Sequence, residues 1–287
     1  MSAGTPISRA VVFTHGSPAE SAPGLAAARA GAERVGCELF ADEEELGKHG
    51  ERAAGIRPLA ELEGDPDLCL ALGGDGTILK GLRRFAGTAV PVFGINYGTV
   101  GFLAAAESEA LERGIDAAFA ADFETVELPA LEPALEGGSR PALNDVSFTR
   151  RPHHRVAELS YRLGGREVGH VRCDGLVAAT PVGSTGYNLA NGGPILAWGV
   201  EGFVVSFIAP HTLTSRPLVV APDDVLHVHN VGEIDSVDIA VDGVLAGELE
   251  PGSMIAIRFR DRVGKLAQLE GETFYGRIRE KFGRLTQ

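Results

Sequence analysis

The sequence predicts an α/β N-terminal domain followed by an all-β C-terminal domain. Up to about residue 123, short apolar runs alternate with segments of helical periodicity, which is typical of a parallel sheet covered by helices on both sides. Beyond that point helical periodicity nearly disappears and short β-branched runs follow one another closely, which favours a β-sandwich. The length of 287 residues leaves room for about two domains of roughly 150 residues each.

The first domain is predicted to alternate strands and helices in chain order. An acidic run at 42–45 is interpreted as a solvated face or a loop. The predicted strands are 10–13, 37–40, 68–72 and 89–95, and the predicted helices are 24–35, 78–84 and 108–123. Because ligands of such sheets bind beyond the carboxyl ends of the strands, the segment after Leu72 is the place to look for a site.

The second domain is predicted to consist of short strands and turns. Gly164 and Gly165 separate two of these strands, and a two-residue glycine turn is a strong hairpin signal. The predicted strands are 142–149, 156–163, 166–171, 176–180, 203–208, 225–228, 237–241 and 254–259. We therefore expect an α/β domain over 1–123, a β-sandwich domain over 124–268, and a C-terminal helix within 269–287 that packs back on the first domain.

Composition excludes several classes of function. With 26 Lys and Arg against 39 Asp and Glu, the net charge is −13, which argues against a nucleic-acid-binding protein. The three cysteines are far apart in the sequence and form no Cys-x-x-Cys pair, so we expect neither a zinc site nor a disulfide framework. This use of cysteine also leads us to expect a cytoplasmic location. No apolar run reaches the roughly 18 residues that would cross a bilayer.

The most informative segment is Gly73-Gly74-Asp75-Gly76-Thr77, which lies between an apolar strand and a helical segment. Glycines let the backbone approach a ligand, and the free N–H groups at a helix start favour negative charge, so the loop is suited to phosphate. Asp75 has the wrong charge for holding phosphate, which indicates that the loop also acts on the group that accepts or donates it. An ordinary Gly/Asp turn between strand and helix is the alternative.

Two further segments resemble parts of a nucleotide site. Asn144 and Asp145 lie together in a strand-like run and can bind ribose hydroxyls or an adenine edge, although a strand-end polar pair is the plainer interpretation. The run 180–188 offers backbone N–H groups, small hydroxyls and the aromatic ring of Tyr187, with a Ser/Gly-rich surface loop as the alternative. Arg155, Arg172 and Arg216 are candidate phosphate partners because guanidinium groups pair well with phosphate oxygens.

Several familiar motifs are absent from the sequence. There is no Gly-x4-Gly-Lys-Ser/Thr loop, no dinucleotide Gly-x-Gly-x-x-Gly spacing at 94–101 and no Gly-x-Ser-x-Gly elbow. His227 and His229 would face the same side of a strand, but a third ligand is missing nearby in the sequence, so metal binding there is not expected.

In their order along the chain, these segments resemble the NAD kinase family. One such motif would be weak, whereas the shared order of all of them argues against coincidence. The matching segments are Gly-Gly-Asp-Gly-Thr at 73–77, Gly-x-x-Gly-Phe-Leu at 98–103, Leu-Asn-Asp-Val at 143–146, Cys-Asp-Gly-Leu at 173–176, Thr-Pro-Val-Gly-Ser-Thr-Gly-Tyr at 180–187, Gly-Gly-Pro-Ile at 192–195 and Pro-His-Thr-Leu-Thr-Ser-Arg-Pro-Leu at 210–218.

The resemblance implies a Rossmann-like first domain and an enzyme that transfers a phosphoryl group from ATP, or from polyphosphate, to the 2′-hydroxyl of the adenosine ribose of NAD. It implies that Asp75 accepts or orients the hydroxyl proton. It also implies that Gly73, Gly74, Gly76 and Thr77 hold the donor phosphates together with a divalent metal, Mg or Mn. The residues that it places against NAD are Asp75, Gly76, Phe102, Asn144, Asp145, Arg155, Arg172, Asp174, Thr185, Gly186, Tyr187, Asn188 and Ala190.

The resemblance further implies NAD and ATP as small-molecule substrates. It also implies a homodimer or homotetramer in which some of the contacts of Arg155, Arg172 and Asp174 with NAD come from a neighbouring subunit. Four positions depart from the family: Val182 lacks a frequent hydroxyl, Gly186 replaces a frequent Ala, Val244 replaces a frequent Gln, and Asp145 replaces a frequent Glu with the charge retained. A lipid kinase of the diacylglycerol or sphingosine type shares the Gly-Gly-Asp-Gly loop, and a non-catalytic dinucleotide sensor is a second alternative. The polar loop at 180–187 favours a nucleotide acceptor over a lipid, and Asp75 argues against a pure sensor.

Overall fold

The computed structural model describes residues 7–97, 101–138, 140–271 and 273–283. The chain divides into two compact units. Unit 1 comprises Met1–Glu127 together with Gly264–Gln287, and unit 2 comprises Leu128–Val263. The C-terminal end of the chain therefore belongs to the same unit as its N-terminal part, as the sequence predicted for the terminal helix.

The described residues form strands and helices in the following order. The strands are β1 (Arg9–Thr14), β2 (Glu38–Ala41), β3 (Arg57–Pro58), β4 (Leu68–Leu72), β5 (Val92–Asn96), β6 (Ala106–Glu107), β7 (Glu124–Pro133), β8 (Asp145–Arg150), β9 (Ala157–Leu163), β10 (Arg166–Cys173), β11 (Gly175–Ala179), β12 (Phe203–Ile208), β13 (Leu218–Val220), β14 (Leu226–Asn230), β15 (Val237–Val241), β16 (Val244–Leu249) and β17 (Met254–Gln268). The α-helices are α1 (Pro18–Val35), α2 (Glu43–His49), α3 (Asp75–Arg84), α4 (Leu111–Phe119), α5 (Tyr187–Ala190) and α6 (Phe274–Phe282). Among the described helices, none combines the length and the apolar composition that a membrane span requires.

Unit 1 is built on a parallel sheet with the strand order β3-β2-β1-β4-β5, and β6 pairs with β5. Neighbouring residues of a strand point to opposite faces of the sheet. Leu70 belongs to the core cluster that includes side chains of α1 and α4. On the other face, a Cβ at Gly81 of α3 would lie 2.9 Å from the Cys69 sulfur, so α3 packs directly on the sheet there. The prediction of a parallel sheet covered on both sides is confirmed.

Unit 2 contains two antiparallel sheets that share one apolar core. One has the order β10-β9-β14-β17 and the other β13-β12-β11-β8-β15-β16. Buried side chains of both sheets, such as Leu159 and Leu176, belong to the same cluster. Gly164 and Gly165 both have positive φ values, 54° and 76°, and they join β9 to β10 as the hairpin signal predicted. The β-sandwich prediction is confirmed.

The interpretation of the acidic run at 42–45 as a solvated face or a loop holds for Glu43 and Glu44, which are exposed on α2, but it is wrong for Glu45. Asp42 caps α2 by accepting the Glu45 backbone N–H, and the Glu45 side chain is only 2% exposed. Its carboxylate accepts the Thr14 hydroxyl at 2.6 Å and pairs with the Lys48 ammonium at 2.8 Å, so the charge is compensated. A run of acidic residues does not indicate which residues elsewhere in the chain will pair with them.

Several element bounds also differ from the sequence prediction. Helix α1 begins at Pro18 rather than at residue 24, since proline is well tolerated in the first turn of a helix. Strand β17 continues to Gln268, nine residues beyond the predicted end at 259, and β7 and β16 were not predicted. Strand β16 is mostly exposed and lacks the alternation of apolar and polar residues on which the strand predictions rested.

Candidate active site

The candidate residues lie in both units. In unit 1, all five residues of β4 are fully buried, and the strand ends at the glycine loop. Helix α3 then begins at Asp75, with Gly74 as its N-cap. A Cβ at Gly73 would lie 2.3 Å from the Thr77 hydroxyl, so the loop depends on glycine at this position. The sequence prediction of strand, glycine turn and helix is confirmed, which places the loop at the carboxyl end of a parallel strand.

The Asp75 carboxylate is held by two backbone N–H groups of the segment that follows β5. It accepts the Phe102 N–H at 2.9 Å and the Leu103 N–H at 3.0 Å. A Cβ at Gly101 would lie 2.3 Å from the Asp75 Oδ1 atom, so this segment approaches the carboxylate closely. The beginning of the predicted Gly-x-x-Gly-Phe-Leu motif, 98–100, lies outside the described residues. The two hydrogen bonds fix the orientation of the carboxylate.

A cavity of about 520 Å³ opens beside this carboxylate in unit 1. It contains four residues of the predicted loop, Gly74 to Thr77, and side chains from other parts of the same unit. The lining residues are His15, Glu20, Gly74, Asp75, Gly76, Thr77, Asn96, Tyr97, Gly101 and Lys281. The N–H groups of Asp75 and Gly76 precede the first backbone hydrogen bond of α3, which the Thr77 N–H donates to the Gly74 carbonyl at 2.9 Å, and they carry the positive end of the helix dipole. The cavity therefore combines an anion-binding helix start with a carboxylate.

In unit 2, Asn144 and Asp145 lie at the start of β8 and are held by Asp242. The Asp242 carboxylate accepts the backbone N–H groups of Leu143 at 3.2 Å, Asn144 at 2.7 Å and Asp145 at 3.2 Å. The Asn144 Oδ1 atom is buried and has no hydrogen-bond partner among the described residues. A buried acceptor without a partner costs free energy, which is typical of a position where a ligand supplies the missing donor.

Asp145 has unusual acid–base properties for an aspartate. Its side chain is 7% exposed, and burial together with the Asp242 carboxylate raises the pKa of Asp145 to about 7. Tyr187 lies near enough to interact with Asp145 and Asp174, and burial and these two carboxylates raise the pKa of its phenol. A carboxyl group that titrates near neutral pH beside an aromatic ring is a feature of functional sites.

The loop after β11 packs directly against the Asn144 backbone. The Thr180 hydroxyl donates to the Leu143 carbonyl at 2.6 Å and accepts the Gly183 N–H at 3.0 Å. A Cβ at Gly183 would lie 1.9 Å from the Asn144 carbonyl oxygen, so only glycine allows this approach. The structure therefore brings together the two unit 2 segments that the sequence singled out separately.

The other predicted residues of this loop have different surroundings. The buried Asn188 amide donates to the Ser184 and Pro194 carbonyls at 2.9 and 3.0 Å, so it holds the loop and the following turn together. The Thr185 hydroxyl donates to the Val182 carbonyl at 3.1 Å, and the Ala190 N–H donates to the Gly186 carbonyl at 3.3 Å. Tyr187 is 41% exposed and thus presents part of its ring to solvent.

The departures from the family pattern can be judged in this geometry. Val182 is 4% exposed, so a buried apolar side chain stands where the resemblance led us to expect a hydroxyl. A Cβ at Gly186 would lie no closer than 3.4 Å to its nearest neighbour, so the position accepts either Gly or Ala. Val244 is 42% exposed on β16.

Arg155 and Arg172 line a second cavity in unit 2, of about 320 Å³, together with Arg150. The Arg172 guanidinium pairs with the Glu158 carboxylate at 3.2 Å, and the Arg155 backbone N–H donates to Asp235 at 3.4 Å. Asp174 is bound by Arg150 at 2.5 Å, and this guanidinium holds the pKa of Asp174 below its usual range. Arg216, by contrast, donates to the Leu213 and Ser215 carbonyls of its own turn.

Three residues near these sites were missed from the sequence as site residues. Asp242 holds Asn144 and Asp145, Arg150 binds Asp174, and Lys281 lines the cavity of Asp75. Asp242 has a φ of 48° before Gly243, so the Asp-Gly turn after β15 was the available signal. Arg150 and Lys281 had no local signal, because their contacts are made over many residues of sequence.

The residues present fit a metal that arrives with a nucleotide better than one that the chain holds by itself. Among the described residues, no group of three or more His, Cys, Asp or Glu side chains is arranged to hold a metal ion. Phosphate oxygens are the usual ligands of Mg²⁺ in phosphoryl-transfer sites, with few carboxylates from the protein.

Two family models match the chain. The ATP-NAD kinase N-terminal domain matches residues 51–123, and the ATP-NAD kinase C-terminal domain matches residues 143–268. A NAD kinase of Gemmatimonas aurantiaca is 33% identical over 85% of this chain and 85% of its own length. A NAD kinase of Symbiobacterium thermophilum is 34% identical over 76% of this chain and 79% of its own length.

Solved structures agree with this assignment. A NAD kinase from Archaeoglobus fulgidus in complex with ATP has a TM-score of 0.70 at 26% identity and covers 96% of this chain and 97% of its own. Yeast NADH kinase complexed with NADH has a TM-score of 0.86 over 99% of this chain and 89% of its own, and at 21% identity it supports the fold alone. Since the two family models span more than half of the residues and the curated relatives match over most of their length, the chain belongs to the NAD kinase family and shares its phosphotransferase activity.

Proposed function

We propose that the chain transfers the terminal phosphoryl group of ATP to the 2′-hydroxyl of the adenosine ribose of NAD, which yields NADP and ADP. The observation that carries this proposal is the Asp75 carboxylate, held by two N–H groups in a cavity that also contains the start of α3. A carboxylate beside an anion-binding helix start suits a reaction that brings phosphate to a hydroxyl.

In the proposed reaction, the ribose 2′-oxygen forms a bond to the γ-phosphorus of ATP as the bond between this phosphorus and the β–γ bridging oxygen breaks. The electron pair of the broken bond stays on ADP. Asp75 orients the hydroxyl and accepts its proton, while Gly73, Gly74, Gly76 and Thr77 hold the donor phosphates. Phosphoryl transfer asks the protein chiefly for this alignment and for neutralisation of charge.

A divalent ion, Mg²⁺ or Mn²⁺, enters with ATP in this proposal and neutralises part of the phosphate charge when it is bound. It is held mainly by phosphate oxygens, in keeping with the absence of a three-ligand cluster among the described residues. Polyphosphate is an alternative donor that offers the same phosphate chemistry.

Recognition of NAD is proposed to rest on unit 2 and on Phe102. The unpartnered Asn144 Oδ1 accepts a ribose hydroxyl, Asp145 accepts a second hydroxyl or an adenine amine, and the Tyr187 ring stacks on the adenine. The 180–190 loop, which includes Thr185, Gly186, Asn188 and Ala190, surrounds the adenosine. Arg155, Arg172 and Asp174 contact the dinucleotide, some of them across the interface of a homodimer or homotetramer. A cytoplasmic location remains a proposal from the separate free cysteines.

The test is to incubate the pure protein with NAD or NADH and with ATP or polyphosphate, each with Mg²⁺ or Mn²⁺, and to measure NADP, NADPH and ADP. We expect ATP-dependent formation of NADP with one ADP for each NADP. Binding of NAD and ATP without any NADP(H) under all these conditions would support a dinucleotide sensor and overturn the proposal.

A further inference from the structure

Lys281 of helix α6 contributes a positive charge to the cavity that contains Asp75. Of the described residues that line this cavity, Lys281 is the one with a permanent positive charge, whereas Asp75 and Glu20 carry carboxylates. Its Nζ atom lies 4.5 Å from the centroid of the Phe102 ring. The ammonium is thus placed against the residue whose backbone N–H binds Asp75.

The position of Lys281 is fixed by contacts of α6 with the segment that holds Asp75. Arg277, one turn earlier on α6, is 4% exposed and donates to the side-chain Oε1 atom of Gln268 at 2.7 Å. The Gln268 amide in turn donates to the Leu103 carbonyl at 3.0 Å. The Phe282 ring also contacts the Phe102 ring, with 5.9 Å between centroids. Phe102 and Leu103 are therefore linked both to Asp75 and to helix α6.

The charge of Lys281 is available to a ligand. Within the described part of the chain, the Lys281 ammonium lies on the face of the Phe102 ring and pairs with no carboxylate. A cation on an aromatic face at an exposed site is held only weakly, whereas a hydrogen bond between two charged groups is strong, so a phosphate oxygen is the better partner. A cavity that must bind phosphates beside two carboxylates also needs a compensating cation.

We propose that the Lys281 ammonium binds a phosphate group of the nucleotide in this cavity while its aliphatic part stays against Phe102. This inference rests on the proposed function, because it assigns a phosphate contact within the same site. The phosphate belongs either to ATP or to the diphosphate bridge of NAD, and these sources share the chemistry that recognises them.

The test compares Lys281→Met with Arg279→Met, which removes the same charge from an exposed position of the same helix outside the cavity lining. Affinities of ATP with Mg²⁺ and of NAD are measured by calorimetry, and kcat/KM is measured for each nucleotide. Since hydrogen bonds to charged groups contribute about 1.5–3 kcal/mol, we expect Lys281→Met to lose about 10-fold or more for one nucleotide. We expect the affinity of Lys281→Met for the other nucleotide to change by less than about twofold, and the affinities of Arg279→Met for both nucleotides to change as little. Loss for ATP identifies the donor phosphates, and loss for NAD identifies the diphosphate bridge.

Lys281→Arg is the conservative variant and should recover most of the lost affinity, since it restores the charge. Equal affinities in Lys281→Met and Arg279→Met would overturn the proposal. Equal losses in Lys281→Met and Lys281→Arg, accompanied by the same fall in Tm, would also overturn it, because that pattern indicates a packing role. Binding is measured without turnover, so an inactive wild-type protein would contradict the proposed function while the affinities still decide the role of Lys281.

Discussion

The backbone N–H of Phe102 donates to the Asp75 carboxylate at 2.9 Å, and the next N–H, from Leu103, donates to its other oxygen at 3.0 Å. Both oxygens therefore have fixed donors, although each oxygen retains a further lone pair for a ligand. The carboxylate therefore has two roles. Its hydrogen bonds hold Phe102 and Leu103 in place, and its negative charge serves the proposed reaction.

Replacing Asp75 by Asn should abolish most turnover while leaving NAD binding largely intact. The amide cannot accept the hydroxyl proton as a carboxylate does, and general-base contributions are typically about 10²–10⁴-fold. The side-chain NH2 group of the Asp75→Asn variant would also face one of the two backbone N–H groups, of Phe102 or Leu103, so one of these two hydrogen bonds would be lost. We expect kcat to fall at least about 100-fold and the Kd for NAD to change only a few-fold. Wild-type-like kcat in this variant would refute the proposed role of Asp75.

Replacing Gly101 by Ala should reduce turnover without changing the carboxylate itself. The new Cβ would lie 2.3 Å from the Asp75 Oδ1 atom, so the carboxylate or the segment must move. A displacement of about 1 Å in an active site can cost about 100-fold in rate. Gly47→Ala is the matched control, because a Cβ there meets no heavy atom within 4 Å. We expect a large loss of kcat in Gly101→Ala alone, and equal kcat values in the two variants would contradict this account.

The local sequence was sufficient to predict a structural feature when all residues of that feature lie in one contiguous segment. Strand β4, the glycine loop and the start of α3 are contiguous, so their residues predicted both the structure and the position of Asp75. The partners of Asp75 lie 27 and 28 residues later in the chain, so nothing in the glycine loop itself indicates them. Asp242 likewise holds Asn144 from 98 residues away. Glu45 shows the opposite error, since an acidic run concealed a buried carboxylate with compensating partners.

Replacing Asn144 by Ala should weaken NAD binding at little cost in stability. The Asn144 Oδ1 atom is buried without a partner among the described residues, so its removal also removes an unfavourable group from the free protein. Loss of one hydrogen bond to a ribose hydroxyl should raise the KM for NAD about fivefold or more. Thermal unfolding and kinetics with varied NAD check both parts.

Thr180→Val provides the contrast to this variant. The Thr180 hydroxyl is hydrogen-bonded both to the Leu143 carbonyl and to the Gly183 N–H, so its loss should lower the Tm clearly. An unchanged KM for NAD in Asn144→Ala would show that the amide is not a ligand group. A fall in Tm as large as that of Thr180→Val would show that the amide is needed for the fold.

Asp145 should make both stability and NAD binding depend on pH. Burial and the Asp242 carboxylate raise its pKa to about 7, against 3.8 for an ordinary aspartate. The folded protein therefore binds a proton that the unfolded chain releases above pH 3.8. The stability that Asp145 contributes is complete below pH 3.8 and is lost as the pH rises through about 7. Asp145→Asn, which cannot ionise, should thus stabilise the protein more at pH 8 than at pH 5.

NAD binding should show the opposite trend, because an ionised carboxylate is the better acceptor for a ribose hydroxyl. We expect the KM for NAD of the wild type to fall as the pH rises from about 6 to 8, the range in which Asp145 ionises. In Asp145→Asn the KM should be higher at pH 8 and nearly independent of pH. Thermal unfolding and NAD kinetics at pH 5, 6, 7 and 8 separate the two effects. If the Tm difference between Asp145→Asn and the wild type is the same at every pH, Asp145 does not titrate in this range. If the KM for NAD depends on pH in the same way in both proteins, another group causes the kinetic pH dependence.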